Sequence, residues 1–138
     1  MGCRKLLILD THTLVWLDEG NEQLGRKSLL TIDQSLKTGE LFISSISFWE
    51  ISMLIGKGRL EIQMNLDLWR QNLLDNGLQE VPLSGDSAIQ AGSLSNFHGD
   101  PADRMIVSTA INMGATLVTA DKKILTWEGQ LSRINAKT

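Results

Sequence analysis

Four acidic residues lie near the starts of four different predicted helices. In an open parallel sheet the carboxyl ends of the strands share one edge, where ligands bind, so residues that follow different strands converge in space. Carboxylates that converge repel one another and need a cation, and oxygen ligands of this kind suit Mg²⁺ or Mn²⁺. The pattern therefore predicts a divalent metal site formed by Asp10, Glu50, Asp103 and Asp121.

Each of these acids also has a purely structural explanation, because helix N-termini attract carboxylates through capping and through the helix dipole. Ser47 and Glu50 have the spacing of a capping box. Asp100 is a candidate N-cap for the helix that holds Asp103, and Thr119 is a candidate cap for a helix on which Asp121 is an ordinary first-turn acid. Taken one at a time, Glu50, Asp100 and Asp121 fit the structural explanation better.

Asp10 is harder to explain as a cap alone. It ends a short apolar strand, Leu6–Leu9, where a charge is costly unless another group compensates it. Four such acids on one predicted edge together favour the metal site.

The strands and helices that must position these acids alternate along the chain. Short apolar runs predict strands at residues 5–9, 41–43, 78–83 and 115–118, and the first ends where a helix starts at Asp10. Apolar stripes and caps predict the other helices at residues 24–37, 45–56, 65–76, 84–94 and 101–113. This order indicates an α/β fold, a three-layer α/β/α sandwich with a central, mainly parallel sheet.

Length and composition limit the classes of protein to consider. A chain of 138 residues predicts one domain, 1–138, and a hydrophobic content of 42% is enough for a core. A net charge of −3 excludes a protein that coats nucleic acid through charge alone. The single cysteine, Cys3, predicts no internal disulfide and a cytoplasmic location, while residues 1–6 match neither a signal peptide nor a myristoylation motif.

Five segments together resemble the PIN-domain family of metal-dependent nucleases, and in particular its VapC-type toxin branch. They are Leu-Ile-Leu-Asp-Thr-His-Thr-Leu-Val-Trp at 7–16, Ser-Ile-Ser-Phe-Trp-Glu-Ile at 45–51, Gly-Lys-Gly-Arg-Leu at 56–60, His-Gly-Asp-Pro-Ala-Asp-Arg-Met-Ile at 98–106, and Leu-Val-Thr-Ala-Asp-Lys-Lys at 117–123. The resemblance implies a toxin that cleaves RNA with Mg²⁺ or Mn²⁺. It makes Asp10 and Asp103 the leading metal ligands, with Glu50 and Asp121 completing the catalytic acidic cluster.

The resemblance also implies two protein partners, a small antitoxin that blocks the acidic pocket and a second copy of the chain. The helices near residues 24–37 and 45–56 carry more apolar residues than one buried face per helix requires, which fits a groove for a partner helix. These residues are Leu24, Leu29, Leu30, Met53 and Leu54.

Local basic residues are the candidate contacts to RNA phosphates. They are Arg104, Lys122 and Lys123 beside the acids, and Lys57 and Arg59 after the Glu50 helix. For each of them, ordinary solvated surface is the alternative, and Arg104 also has carboxylates nearby with which to pair.

Three neutral or titratable side chains near the acids have weaker predictions. Thr119 is a candidate for positioning water. For His12 and His98 a capping or core hydrogen-bonding role is favoured over acid catalysis.

Two other functions remain open at this point. A receiver-type phospho-acceptor domain also places acids and Mg²⁺ at the edge of a parallel sheet, but it needs paired acids after the first strand, and Asp10 stands alone. A non-catalytic binding module would use the same acids only as helix caps.

Overall fold

The computed structural model describes residues 5–138, so the predictions made for Cys3 and for the N-terminal motif lie outside the described residues. Within that range the chain forms a five-stranded sheet of order β3-β2-β1-β4-β5 in which every pairing is parallel. The strands are β1 Leu7–Leu9, β2 Leu41–Ser44, β3 Gln79–Val81, β4 Thr116–Thr119 and β5 Arg133–Asn135. The helices are α1 Thr11–Glu19, α2 Arg26–Lys37, α3 Ser45–Gly56, α4 Leu66–Asp75, α5 Gly85–Gly92, α6 Pro101–Met113 and α7 Lys122–Leu125.

The sheet separates two hydrophobic clusters, because successive side chains of a strand point to opposite faces. Leu7 and Leu9 of β1 pack in one cluster with residues of α1 to α4, while Ile8 packs in the other with residues of α6 and α7. All three side chains are buried. This arrangement of helices on both faces of a parallel sheet confirms the predicted α/β sandwich, and it explains why the strand reads as an unbroken apolar run.

The two edge strands are where the sequence prediction was wrong. β5 was missed, because Arg133–Asn135 is polar and only partly buried, without an apolar run. β3 is shorter than the predicted segment and its first residue, Gln79, is exposed. An edge strand is hydrogen-bonded to one neighbour only and need not be apolar on both faces, so its sequence signal is weak.

The strand order creates a switch point between β1 and β4. From β1 the chain runs outward through β2 to β3, and it then returns to the other side of β1 to form β4 and β5. The register pairs Leu9 with Val118 at the carboxyl end of the two strands. A crevice outside that end is the usual ligand position in an open α/β sheet.

One helix of the described chain is held by the C-terminal segment instead of a side-chain cap. The backbone N–H of Gly25, the N-cap of α2, donates to Ala136 O at 2.8 Å, and Lys27 N–H donates to Thr138 O at 3.1 Å. A Cβ on Gly25 would lie 2.1 Å from the Thr138 carbonyl carbon and 2.5 Å from Lys137 O. Only glycine allows this close approach of the two backbones.

Among residues 5–138 there is no helix with both the length and the apolar character that a bilayer crossing requires.

We expect Gly25→Ala to lower the free energy of unfolding by about 1–3 kcal/mol, because the new methyl group must displace backbone and break its hydrogen bonds. Chemical denaturation measures this change. Gly85→Ala, in α5, is the control, since a Cβ there meets nothing within 4 Å and should be neutral or stabilising by about 0.5 kcal/mol. Equal effects of the two substitutions would contradict the described contact.

Candidate active site

Asp10 is held in a fixed position at the switch point. It is the N-cap of α1, and its Oδ1 accepts a hydrogen bond from Thr13 N–H at 2.8 Å. Its Oδ2 accepts one from the Thr119 hydroxyl at 2.5 Å. The residue is only 6% exposed. Two hydrogen bonds compensate part of the cost of burying this carboxylate.

Thr119 connects two of the acids. While its hydroxyl donates to Asp10, the same oxygen accepts from Asp121 N–H at 3.1 Å. The prediction that Thr119 caps the following helix is wrong, because the N-cap of α7 is Asp121, which accepts from Lys123 N–H at 2.8 Å. Since the hydroxyl proton of Thr119 is bound to Asp10, we assign it a positioning role.

Glu50 reaches the site from the middle of α3. The capping box predicted for Ser47 and Glu50 is absent, because α3 begins earlier and Ser44 is its N-cap. Ser47 is instead buried and accepts a hydrogen bond from the Thr11 hydroxyl at 3.0 Å. This contact ties α3 to α1 one turn before Glu50, beside Asp10.

Asp100 and Asp103 enter from the start of α6. As predicted, Asp100 is the N-cap, and its Oδ1 accepts from Asp103 N–H at 3.0 Å. The Asp103 carboxylate lies 2.7 Å from His98 Nε2. The pKa of Asp103 is raised from 3.8 to about 6, chiefly because the carboxyl is buried. The hydrogen bond from His98 opposes this rise, and the charges of Asp100 and Asp121 add to it. Burial thus disfavours the charged form of this carboxyl more than the neighbouring acids do.

The structure brings all four predicted acids to one cavity of about 330 Å³. Asp100 makes a fifth carboxylate in its lining, against a single lysine, Lys137, within the described chain. The other lining residues are Thr11, His12, Trp16 and Ala120.

Three of the predicted phosphate contacts lie elsewhere. Arg104 donates hydrogen bonds to the carbonyls of Ala91, Phe97 and His98 at 2.8–3.0 Å. Its guanidinium therefore holds the loop before α6, and it forms no ion pair with a carboxylate of residues 5–138. Lys57 and Arg59 are exposed beyond the end of α3, about 10 Å along the helix axis from Glu50. None of the three lines the acidic cavity.

Lys122 and Lys123 line a cleft beside the cavity that they share with His98, Asp103 and Asp121. Both lysines are exposed. Of the five basic residues predicted to contact RNA phosphates, these two lysines have side chains that lie next to the acids.

Three residues of the site, His98, His12 and Lys137, have positions or partners that the sequence did not predict. The hydrogen-bonding role predicted for His98 is right in kind, but its partner is a site carboxylate. His12 is exposed and lines the cavity, so it is not a core residue. Lys137 was missed entirely, because it follows the unrecognised strand β5. Nothing in the local sequence around Lys137 signals that β5 lies next to β4.

The donor atoms fit a divalent cation. The ligand atoms of His98, Asp103 and Asp121 lie within 4.8 Å of one another. Asp103 and Asp121 also line the acidic cavity with Asp10 and Glu50, whereas His98 lines the cleft beside it. Oxygen-rich sites of this kind bind Mg²⁺ and Mn²⁺, and an imidazole favours the transition metal.

The chain is similar to known proteins over most of its length. The PIN domain family model matches residues 7–126. Ribonuclease VapC22 of Mycobacterium tuberculosis is 31% identical over 119 residues, which are 86% of this chain and 88% of that protein.

Two solved structures have the same fold. VapBC2 from Rickettsia felis, bound to a DNA fragment from the promoter, gives a TM-score of 0.69 at 20% identity and covers 94% of this chain and 98% of its own. DNA-bound VapBC from Salmonella typhimurium gives a TM-score of 0.69 at 17% identity, over 95% of this chain and 98% of its own. On the family match and the identity to VapC22, this chain belongs to the PIN domain family, as one of its VapC-type members.

Proposed function

We propose that this protein is the toxin of a toxin–antitoxin pair and that it cleaves RNA as a metal-dependent endoribonuclease. The observation that carries the proposal is the convergence of five carboxylates, from Asp10 to Asp121, on one cavity at the switch point of the sheet. The kinship with a VapC ribonuclease supports RNA as the substrate.

Asp10 and Asp103 would hold the cation, with Asp121 and Glu50 completing the acidic set. When bound, a divalent ion such as Mg²⁺ or Mn²⁺ would lower the pKa of a bound water molecule and neutralise the charge that develops on the scissile phosphate. Asp10 presents its carboxylate in one orientation because Thr13 and Thr119 each hold one of its oxygens.

The other residues act on the water and the phosphate. Glu50 and Asp121 offer carboxylate oxygens that orient the attacking water for in-line displacement. Lys137 in the cavity and the pair Lys122 and Lys123 beside it contact the phosphates on either side. These lysines give an acidic chain the local positive charge that nucleic-acid binding requires.

The family membership removes the receiver-type alternative, which the lone Asp10 already fitted poorly. A non-catalytic PIN-like binding module is the remaining alternative. It predicts RNA binding without turnover, which the cleavage experiment below distinguishes.

The partners follow from the same kinship. We propose that an antitoxin docks on the exposed apolar side chains Leu29 and Leu30 of α2, and that two copies of the chain form a dimer. Leu30 is 59% exposed, and Leu29 and Met53 are also exposed, as a partner surface requires. Leu24, predicted for this surface, is instead buried in the core. A solved neighbour of the same fold is a toxin–antitoxin complex from Klebsiella pneumoniae, which supports a partner of this class.

Purified wild-type protein should cut total RNA into discrete fragments with Mg²⁺ or Mn²⁺ and none with EDTA. Asp10→Asn keeps the size of the side chain and removes its charge, so we expect cleavage to fall by about a hundredfold or more. Sequencing of the fragment ends measures the cleavage and identifies the RNA.

Asp86→Asn is the matched control for this experiment, since Asp86 is an exposed first-turn acid of α5 outside the cavity. Its activity should equal that of the wild type. Metal-dependent binding of RNA without any cleavage would instead assign the protein to the non-catalytic class.

A second prediction concerns stability without metal. The folded state binds a proton at Asp103 more tightly than the unfolded chain does, because the pKa is raised to about 6. Stability from this group is therefore present below about pH 4 and is lost as the pH rises to about 6. In EDTA at pH 7.5, Asp103→Asn should be more stable than the wild type by on the order of 1 kcal/mol.

Thermal unfolding tests this prediction. The difference in stability between Asp103→Asn and the wild type should be smaller at pH 5 than at pH 7.5. Millimolar Mn²⁺ should raise the melting temperature of the wild type but not that of Asp103→Asn. Asp86→Asn controls for loss of a favourable helix-dipole interaction. An equal response of wild type and Asp103→Asn to Mn²⁺ would exclude Asp103 from the metal site.

A further inference from the structure

A second groove opens beside the acidic cavity, and we call it the aromatic groove. It has a volume of about 670 Å³, and its lining includes Phe97, His98, Lys123, Thr126 and Trp127. The cleavage reaction proposed above uses Lys123 of this lining but gives no role to the aromatic side chains.

The aromatic groove lies next to the acidic cavity. A cleft between them shares Asp103 and Asp121 with the cavity. The same cleft shares His98 and Lys123 with the aromatic groove. A strand whose phosphate lies at the acids would therefore have the aromatic groove within reach of its neighbouring nucleotide.

The aromatic side chains of the groove are held rigidly. Trp127 Nε1 donates to Ser95 O at 2.9 Å, and its ring meets Phe97 edge to face at 5.2 Å between centroids. Phe97 in turn stacks on His98 at 4.3 Å. The indole also packs against Gly129, where a Cβ would lie 2.1 Å from the ring, so only glycine leaves room for it. Little conformational entropy remains to be lost when a planar ligand binds.

The charges at the groove fit a nucleotide. Lys123 is exposed, and its backbone N–H is held by Asp121, so its side chain starts two residues from a proposed catalytic acid. An ammonium group suits a phosphate, and an aromatic surface suits an unpaired base. Glu128, also in the lining, is an acceptor for base amino groups.

We propose that the aromatic groove binds the nucleotide next to the scissile phosphate of an unpaired RNA strand, with its phosphate on Lys123 and its base against Trp127. The inference rests on the proposed ribonuclease function and adds to it the residues that hold the nucleotide next to the cut. A base can stack on Trp127 only where it is unpaired, so the groove requires that this nucleotide be free of base pairing.

Photo-crosslinking tests where that base lies. The probe is a short single-stranded RNA spanning a site that the wild type cleaves, with 4-thiouridine placed at each position around the cut in turn, bound to Asp10→Asn protein. We expect crosslinks in the tryptic fragment 124–133, which contains Trp127, from a position adjacent to the cut. Crosslinks confined to other fragments would overturn the proposal.

Variants test the two contacts separately. Lys123→Ala should raise KM about tenfold with kcat within about twofold, and it should lower the salt slope of RNA binding by about 0.7, the value for one phosphate contact on a single strand. Trp127→Leu keeps apolar volume against Phe97, should raise KM by about tenfold, and should leave the salt slope unchanged.

Two controls separate binding from packing. Lys37→Ala removes an exposed lysine at the end of α2, outside the groove, and should leave KM unchanged. Leu131→Ala loosens the same hydrophobic cluster as Trp127 without lining the groove. If it raises KM as much as Trp127→Leu does, the effect comes from packing and the stacking role is wrong.

The two levels of the proposal fail differently. If the wild type cleaves no RNA, the ribonuclease function and the aromatic-groove inference fall together. If the wild type cleaves and both groove variants keep its KM, only the aromatic-groove inference is overturned.

Discussion

The constraint on which this structure depends is the crowding of negative charge at one edge of its sheet. Five carboxylates line a single cavity, and three of them are held by the backbone amides that begin helices: Asp10 by Thr13, Asp100 by Asp103, and Asp121 by Lys123. These hydrogen bonds offset part of the repulsion. At Asp103, burial and the charges of Asp100 and Asp121 together raise the pKa to about 6.

Capping and metal binding are therefore not competing explanations of the same acids. A capping carboxylate uses one oxygen for the helix amide and has further lone pairs for another partner. Asp121 accepts both of its amide hydrogen bonds on Oδ1, which leaves Oδ2 for the cavity. The helix start thus fixes the direction of the side chain, and the metal site uses that fixed direction.

The polar contacts behind the acids are as important as the acids. Thr13 and Asp10 both bond to Val118 O, through the hydroxyl of Thr13 and the backbone N–H of Asp10, which locks α1 onto β4. Arg104 donates its side-chain hydrogen bonds to the loop before α6. The residue predicted to bind phosphate therefore stabilises the backbone at His98. A charged residue next to a site can thus serve the backbone and not the substrate.

Local patterns in the sequence determined the buried strands β1, β2 and β4, most of the helices, and the four acids, because apolar runs, caps and turn residues act over a few positions. Only the tertiary structure decided what joins them. The polar edge strand β5, the place of Lys137 in the cavity, the partnership of His98 with Asp103 and the buried Thr11–Ser47 bond all depend on segments far apart in the chain. Such contacts produce no periodic pattern in a sequence, because they depend on packing across the sheet and not on the backbone preferences of neighbouring residues.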